Sequence, residues 1–187
     1  MSTAEAHWTV LVAHPDTPRE PISGIAVEIR LPAHGTLVCN YSLHGEVGRV
    51  LLSGPRNGRR TDGLWQHTCF EAFIAAPGLP GYHEFNFSPT LAWAAYSFTD
   101  YRAGMAPAAL VQAPGLQVRK SPEQLELTAT MHLDGLMPLR EAPTLRLALA
   151  AVVEDYYGRR SYWALEHPPG KPDFHHPDSF TMELRWP

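Results

Sequence analysis

Apolar and polar residues alternate with a period of two along much of this chain, in short stretches broken by proline and glycine. The clearest runs from Leu125 to Leu133. There Leu125, Leu127, Ala129, Met131 and Leu133 point one way, and Glu126, Thr128, Thr130 and His132 the other. Ile25, Val27, Ile29 and Leu31 alternate in the same manner with Ala26, Glu28 and Arg30. Between Thr144 and Glu154, Leu145, Leu147, Leu149, Ala151 and Val153 oppose Arg146 and a face of mostly small residues. Such a period sets alternate side chains on opposite faces of an extended backbone, so each stretch predicts a strand with one buried face. Tyr157-Gly158 predicts a turn, and Ser161–His167 returns from it as the second arm of a hairpin.

Further strands are predicted at Trp8–Ala13, Thr36–His44, Arg49–Leu52, Leu64–Ala75, Tyr82–Phe87, Ala92–Phe98 and Ser179–Arg185. The alanines of Ala92–Phe98 suit a short helix equally well. The expected fold class is all-β: a two-sheet antiparallel β-sandwich, jelly-roll or immunoglobulin-like, with about ten strands and little helix. The connections Ser53–Asp62, Ala76–Gly81 and Tyr101–Gly115 read as glycine- and proline-rich loops, none long or polar enough to separate domains. Residues 1–187 are therefore expected to form a single domain.

Composition narrows the partners. The 187 residues are 44% hydrophobic and 18% charged, ordinary for a globular chain long enough to bury a core. A net charge of −4 leaves no basic excess for a nucleic-acid partner. No apolar run approaches the roughly 18 residues of a membrane helix, and the first residues lack a signal-peptide pattern. The expectation is a cytoplasmic protein with no membrane partner. Cys39 and Cys69 are too few for a disulfide framework and are expected to be free, buried thiols.

Two segments carry candidate chemistry. In the first, the predicted strand Leu64–Ala75 sets Phe70, Ala72 and Ile74 on one face and Trp65, His67, Cys69 and Glu71 on the other. The next strand repeats this, with Phe85 and Phe87 opposed to Glu84 and Asn86. A mixed aromatic and ionisable face suits a binding concavity, although a partly covered outer face looks the same in sequence. In the second, a strand delivers Trp163 and His167 to one face. A loop braced by Pro168, Pro169, Pro172 and Pro177 then carries Asp173, His175 and His176. That loop either presents a pre-organised site or merely closes the domain.

His167, Asp173, His175, His176 and Asp178 are suitable zinc or iron ligands, yet their spacing matches no metal motif, so no metal site is assigned. The sequence has no G-x-S-x-G elbow, G-x-G-x-x-G or P-loop, and no catalytic residue is assigned. Glu71, Glu84 and Glu166 could furnish a carboxylate pair for glycoside chemistry if two lie close together. Sugar recognition needs aromatic platforms and planar polar groups. Trp65, Trp93, Tyr96 and Trp163 could supply the former, and Arg59, Arg60, Glu71, Asn86, Asp173 and His175 the latter. At least two of the five tryptophans are expected in the core.

The runs Trp65–Ile74, Tyr82–Pro89, Trp93–Tyr96, Tyr162–Pro168 and Asp173–His175 resemble the bacterial DOMON-like proteins, which are related to the family 9 carbohydrate-binding modules. The similar stretches span most of residues 60 to 185. The resemblance implies a β-sandwich whose relatives bind haem or sugars and does not imply catalysis. In the haem-binding relatives a methionine and a histidine, or two histidines, hold the iron, and Met105, Met131 and Met182 stand beside the histidines here. Relatives in the wider superfamily are often secreted or membrane-tethered, which this chain is not expected to be.

The reading that follows is a non-catalytic domain that recognises a carbohydrate or sugar-like small molecule through an aromatic and acidic concave face. Its expected residues are Trp65, His67, Glu71, Asn86, Trp93, Trp163, His167, Asp173 and His175, with no cofactor. Haem binding is the first alternative. A small metal-assisted or acid–base enzyme on the His167–Asp178 loop is the second, and a protein-interaction module is the third.

Overall fold

The computed structural model describes residues 5–54, 56 and 58–187. Strands dominate it: β1 (Ala6–Ala13), β2 (Ile22–Ala33), β3 (Thr36–Gly45), β4 (Cys69–Ala75), β5 (Tyr82–Phe87), β6 (Trp93–Phe98), β7 (Ala106–Pro107), β8 (Gly115–Lys120), β9 (Gln124–His132), β10 (Thr144–Glu154), β11 (Arg160–Ala164) and β12 (Met182–Arg185). One short helix, α1 (Met137–Glu141), begins with Pro138 in its first turn, where a missing N–H costs nothing. Every strand pairing is antiparallel.

The strands do not separate into the two expected sheets. They follow one hydrogen-bonded path, β7-β6-β5-β4-β10-β11-β1-β2-β3-β9-β8, with β12 paired to β10, and the whole curls into a half-barrel. Strand β1 makes the continuity. Its Ala6–Leu11 stretch pairs with β2, while Val12 and Ala13 pair with Ala164 and Trp163 of β11. The path ends at β7, only two residues long and closed by Pro107, and at β8, where Arg119 and Lys120 are exposed.

The period-two stretches fill the interior as expected. Ile25, Val27, Ile29, Leu125, Leu127, Met131, Leu145, Leu147 and Leu149 are all buried in one cluster, which also takes Phe70, Ala72 and Ile74 of β4 and Phe85 and Phe87 of β5. Tyr41 of β3 crosses this core and donates its hydroxyl hydrogen to the Glu71 carbonyl of β4 at 2.9 Å, tying the two curled halves together. Cys39 and Cys69 are both free and buried.

The central strands β4, β5, β6, β10 and β11 are covered on their outer face as well. Cys69, Phe73, Tyr82, Ala94, Tyr96, Ala148, Ala150, Val152 and Ala164 form a second cluster there, roofed by Phe174 and Phe180 from the segment between β11 and β12. Burial on both faces explains why Phe70–Ala75 and Leu147–Val153 read as nearly unbroken apolar runs.

Several boundaries differ from the sequence expectation. Leu64–Gln66 is a single 3-10 turn after Gly63, whose φ of 79° lies in the left-handed region, so the strand begins only at Cys69. Arg49–Leu52 is not a strand: Val47–Arg49 forms a 3-10 turn, and Val50 makes one isolated bridge to Asp155. Ser161–His167 stops at Ala164, and Ser179–Arg185 starts at Met182. Ala92–Phe98 is extended despite its alanines, because pairing with β5 supplies a ladder that local propensity does not foresee.

Candidate functional site

The register of the central strands explains why a hollow forms on their outer face. Glu71 lies opposite Asn86 of β5 and Ala150 of β10, and the same row continues to Ala94 of β6 and Ala164 of β11. Three alanines thus flank the Glu71–Asn86 pair, and their short side chains leave space above the sheet. The neighbouring rows are taller, with Phe73, Glu84 and Tyr96 on one side and Cys69, Val152 and Tyr162 on the other. Pro172, Phe174 and His175 cross over this space, while Arg102 and Met105 approach from the loop between β6 and β7. They enclose a cavity of about 320 Å³ with Glu71 and Glu84 in its wall and Trp65 at its edge, a size suited to a small ligand.

The two carboxyl groups are diagonal neighbours on adjacent strands, within reach of one another. Glu71 is only 2% exposed, and its Oε1 has no hydrogen-bond partner among the described residues. Burial pushes its carboxyl well above the ordinary carboxylate range, and the nearby Glu84 raises it further. Glu84 accepts a hydrogen bond from Asn86 Nδ2 at 2.7 Å. Burial lifts Glu84 to about 7, against the opposing pull of that bond and of the Arg102 guanidinium. Asn86 is fixed in turn by the Cys69 thiol, which donates to its Oδ1 at 3.5 Å.

His175 is held neutral beside them. The Arg102 backbone N–H donates to the Tyr82 hydroxyl at 3.2 Å, and that hydroxyl lies 2.8 Å from His175 Nδ1. With the hydroxyl proton directed to Nδ1, the ring keeps its own hydrogen on Nε2, which stands 3.8 Å from Glu84 Oε2. Phe73 and Phe98 pack edge-on against the ring at 5.0 and 5.2 Å. This apolar surrounding lowers His175 to about 4, and the positive charge of Arg102 adds to the effect, against the attraction of Asp173.

Asp173 secures the loop rather than lining the hollow. Its Oδ1 accepts from Arg102 Nη2 at 2.7 Å and from the His175 backbone N–H at 3.1 Å, and Oδ2 accepts from the Tyr101 hydroxyl. Desolvation would raise this carboxyl, but the bonds from Tyr101 and Arg102 hold it below its ordinary value. Trp65, 37% exposed, sits at the rim with its ring edge-on to Tyr96 at 5.7 Å. The Tyr96 hydroxyl donates to Asp62, so the platform behind Trp65 is itself anchored.

Of the nine residues nominated from sequence, Trp65, Glu71 and His175 line this cavity, Asn86 lies in the Glu71 row beneath it, and Asp173 buckles its roof. The other four are elsewhere. Trp163 is 4% exposed and belongs to the inner core, its indole N–H donating to Ser161 Oγ. Strand parity sends Trp93 to that same inner side, packed partly against the core. His67 follows the 3-10 turn and bonds Glu154 at 2.7 Å through Nδ1, away from the cavity. His167 lies past the end of β11, where Nε2 donates to the Val12 carbonyl at 2.8 Å and the ring meets His14 edge-on. The expected single surface through Trp65, His67, Glu71, Trp163 and His175 is therefore not formed.

The loop histidines are likewise dispersed into local contacts, and no group of three or more side chains suited to a metal occurs among the described residues. Sequence reading passed over Arg102, Phe98 and Tyr162 as site residues, and it weighed Met105 only toward haem and Glu84 only as a carboxylate. Glu84 could have been found, since it shares the alternation face of Asn86. Arg102 could not, because its partner Asp173 lies 71 positions away.

No protein-family model matches the chain, and no curated protein matches it. Solved structures share its fold. A candidate carbohydrate-binding protein from Bacteroides uniformis superposes with a TM-score of 0.69 at 14% identity, over 97% of this chain and 86% of the other. A family 9 carbohydrate-binding module from Caldicellulosiruptor kristjanssonii, in complex with cellotriose, gives 0.59 at 10% identity over 96% and 82%. In complex with glucose, a family 9 module from that organism gives 0.57 at 11% identity over 96% and 83%.

Proposed function

We propose that this chain is a non-catalytic carbohydrate-binding domain and that a sugar occupies the cavity above Glu71. The observation that carries the reading is the joining, in one hollow, of an exposed tryptophan rim with an uneven ring of polar groups. A sugar ring presents C–H faces that suit the Trp65 indole, while its hydroxyls can donate to the Glu71 and Glu84 carboxyls and accept from Arg102 and the His175 Nε2–H. The orphaned Oε1 of Glu71 is a buried acceptor that a ligand hydroxyl would satisfy. The sugar complexes of the family 9 modules with the same fold support the ligand class. Kinship with the DOMON-like group itself rests on the residue runs from Trp65 to His175.

Two observations weigh against the alternatives. A haem carries acidic side groups, and the wall of this cavity already holds two carboxyls, while the Nε2 of His175 is turned toward Glu84. Glycoside hydrolysis sets one carboxyl as acid and the other as an ionised base or nucleophile, whereas burial pushes Glu71 and Glu84 the same way.

Calorimetric titration with mono- and oligosaccharides tests the reading. Binding of at least one sugar is expected, weakened about tenfold or more in Trp65→Ala, with the oligosaccharides recovered intact afterwards. A panel without any binder, or an affinity indifferent to Trp65→Ala, would falsify it.

A further inference from the structure

The charges around the cavity do not balance. From β4 come Glu71 and the Cys69 thiol, and from β5 Glu84. Strand β6 contributes Tyr96, whose hydroxyl is held by Asp62, with Arg60 paired to that carboxylate. Strand β10 contributes Ala148, Ala150 and Val152, and β11 contributes Tyr162 and Ala164, none of them charged. Arg102 is the cation of the loop between β6 and β7, and its guanidinium is already engaged by Asp173 at 2.7 Å. His175, from the roof, is neutral at ordinary pH. Two neighbouring buried carboxyls are thus left without a dedicated counter-charge, and the one deeper in the sheet has an oxygen with no hydrogen-bond partner.

For a neutral sugar this is a poor arrangement. One ionised carboxylate suffices to accept two hydroxyls, and an amide in place of the second would avoid setting like charges together in a dry site. For a ligand that brings its own positive charge it is a good one. An ammonium group offers three donors and compensates the pair, and charge-assisted hydrogen bonds of this kind are about twice as strong as neutral ones.

We propose that the cavity selects sugars bearing a free primary amine, with the ammonium group seated between the Glu71 and Glu84 carboxyls. This rests on the carbohydrate reading above and specifies its ligand. Without ligand, the pair reduces its repulsion by holding a proton. The ammonium takes over that role, so binding releases a proton. Affinity accordingly rises with pH as the carboxyls ionise, up to the pH at which the ligand amine itself loses its charge.

Calorimetry on the full chain distinguishes the outcomes. Glucosamine and its β-1,4-linked dimer and trimer are compared with glucose, cellobiose, cellotriose and N-acetylglucosamine, each at several pH values on the acid side of neutrality, where the glucosamine amine keeps its charge, and in buffers of different ionisation enthalpy. The expected result is a preference of about tenfold or more for the amine over its hydroxyl and N-acetyl counterparts, growing with pH, with protons released to the buffer. In Glu71→Gln, which keeps the size and polarity of the side chain, that preference is expected to shrink toward parity. Equal or tighter binding of glucose or cellotriose overturns the amine proposal and leaves the carbohydrate reading standing. Failure of every sugar, amino sugars included, overturns both. The wild-type comparison decides the matter even if the variant does not fold.

Discussion

Glu84 shows most directly how the site is paid for in stability. In the unfolded chain its carboxyl loses a proton near 4.5, and in the fold near 7. Between those values the folded protein retains a proton that the unfolded chain has released, so rising pH favours unfolding. The buried imidazoles of His83 and His175 run the other way. Burial lowers both from 6.5 to about 4, so the stability present above 6.5 is lost as pH falls toward 4. Glu84→Gln removes the first dependence while its amide oxygen can still accept from Asn86. Its stability relative to wild type is expected to be near zero at pH 4.5 and to rise to the order of 3 kcal/mol above pH 7, read by denaturant unfolding across that range. A difference that stays flat with pH would contradict the buried carboxyl. The tryptophans separate at the same scale. Trp163→Ala is expected to cost about 3–5 kcal/mol, seen as a lowered melting temperature, whereas Trp65→Ala should melt close to wild type and lose sugar binding instead. Sequence could not divide these two residues. Each stands in an aromatic-polar run, and only the 3-10 turn at Leu64–Gln66 and the parity of β11 send one outward and the other inward.

Elements were more legible than residues. The alternation in Leu125–Leu133 and Ile25–Leu31 gave strands and buried faces directly, because each has a single covered side. The strands β4 and β10 are covered twice, and there alternation still marked the inner face but hid that the outer one was also enclosed. The small residues at Ala148 and Ala150 were visible as a pattern. Their consequence, a hollow above Glu71, depends on Ala94 and Ala164 arriving beside them through pairing between distant stretches. Strand β8 escaped notice because Pro114-Gly115 and the charges of Arg119-Lys120 obscure its short alternation of Leu116 and Val118. The proline-braced segment between β11 and β12, marked in the sequence by its prolines and histidines, lies as a roof whose fastening is Asp173. Asp173→Ala releases both Arg102 and the His175 backbone, so it is expected to raise protease cleavage within residues 168–178 and to weaken sugar binding several-fold. The melting of the β-core should change little. Resistance to cleavage equal to wild type would show that the prolines alone hold the segment.

At the scale of the whole molecule, the class of fold follows from local pattern, and the connection between its halves does not. Alternation says that a strand has an inside, and it is silent on whether two curved layers share a strand. Here β1 serves both, with six residues in one ladder and two in the other. A sequence-based expectation of two sheets is natural, since the core between the halves is packed as a sandwich would be, down to the Tyr41 hydroxyl that reaches across it. Leaving the curl open has a cost that a closed barrel avoids, because the last strand on each side has backbone groups with no neighbour. At one end β7 pairs with β6 on one side and offers only Ala106 and Pro107 on the other, and proline has no N–H. At the other, two copies meeting along β8 would bring Arg119 and Lys120 of each into the same narrow seam. The openness that gives this sheet its shape is thus matched by rims that resist zipping onto a second molecule, and crowded solutions of the protein should remain clear where a flat, uncharged edge would seed fibres.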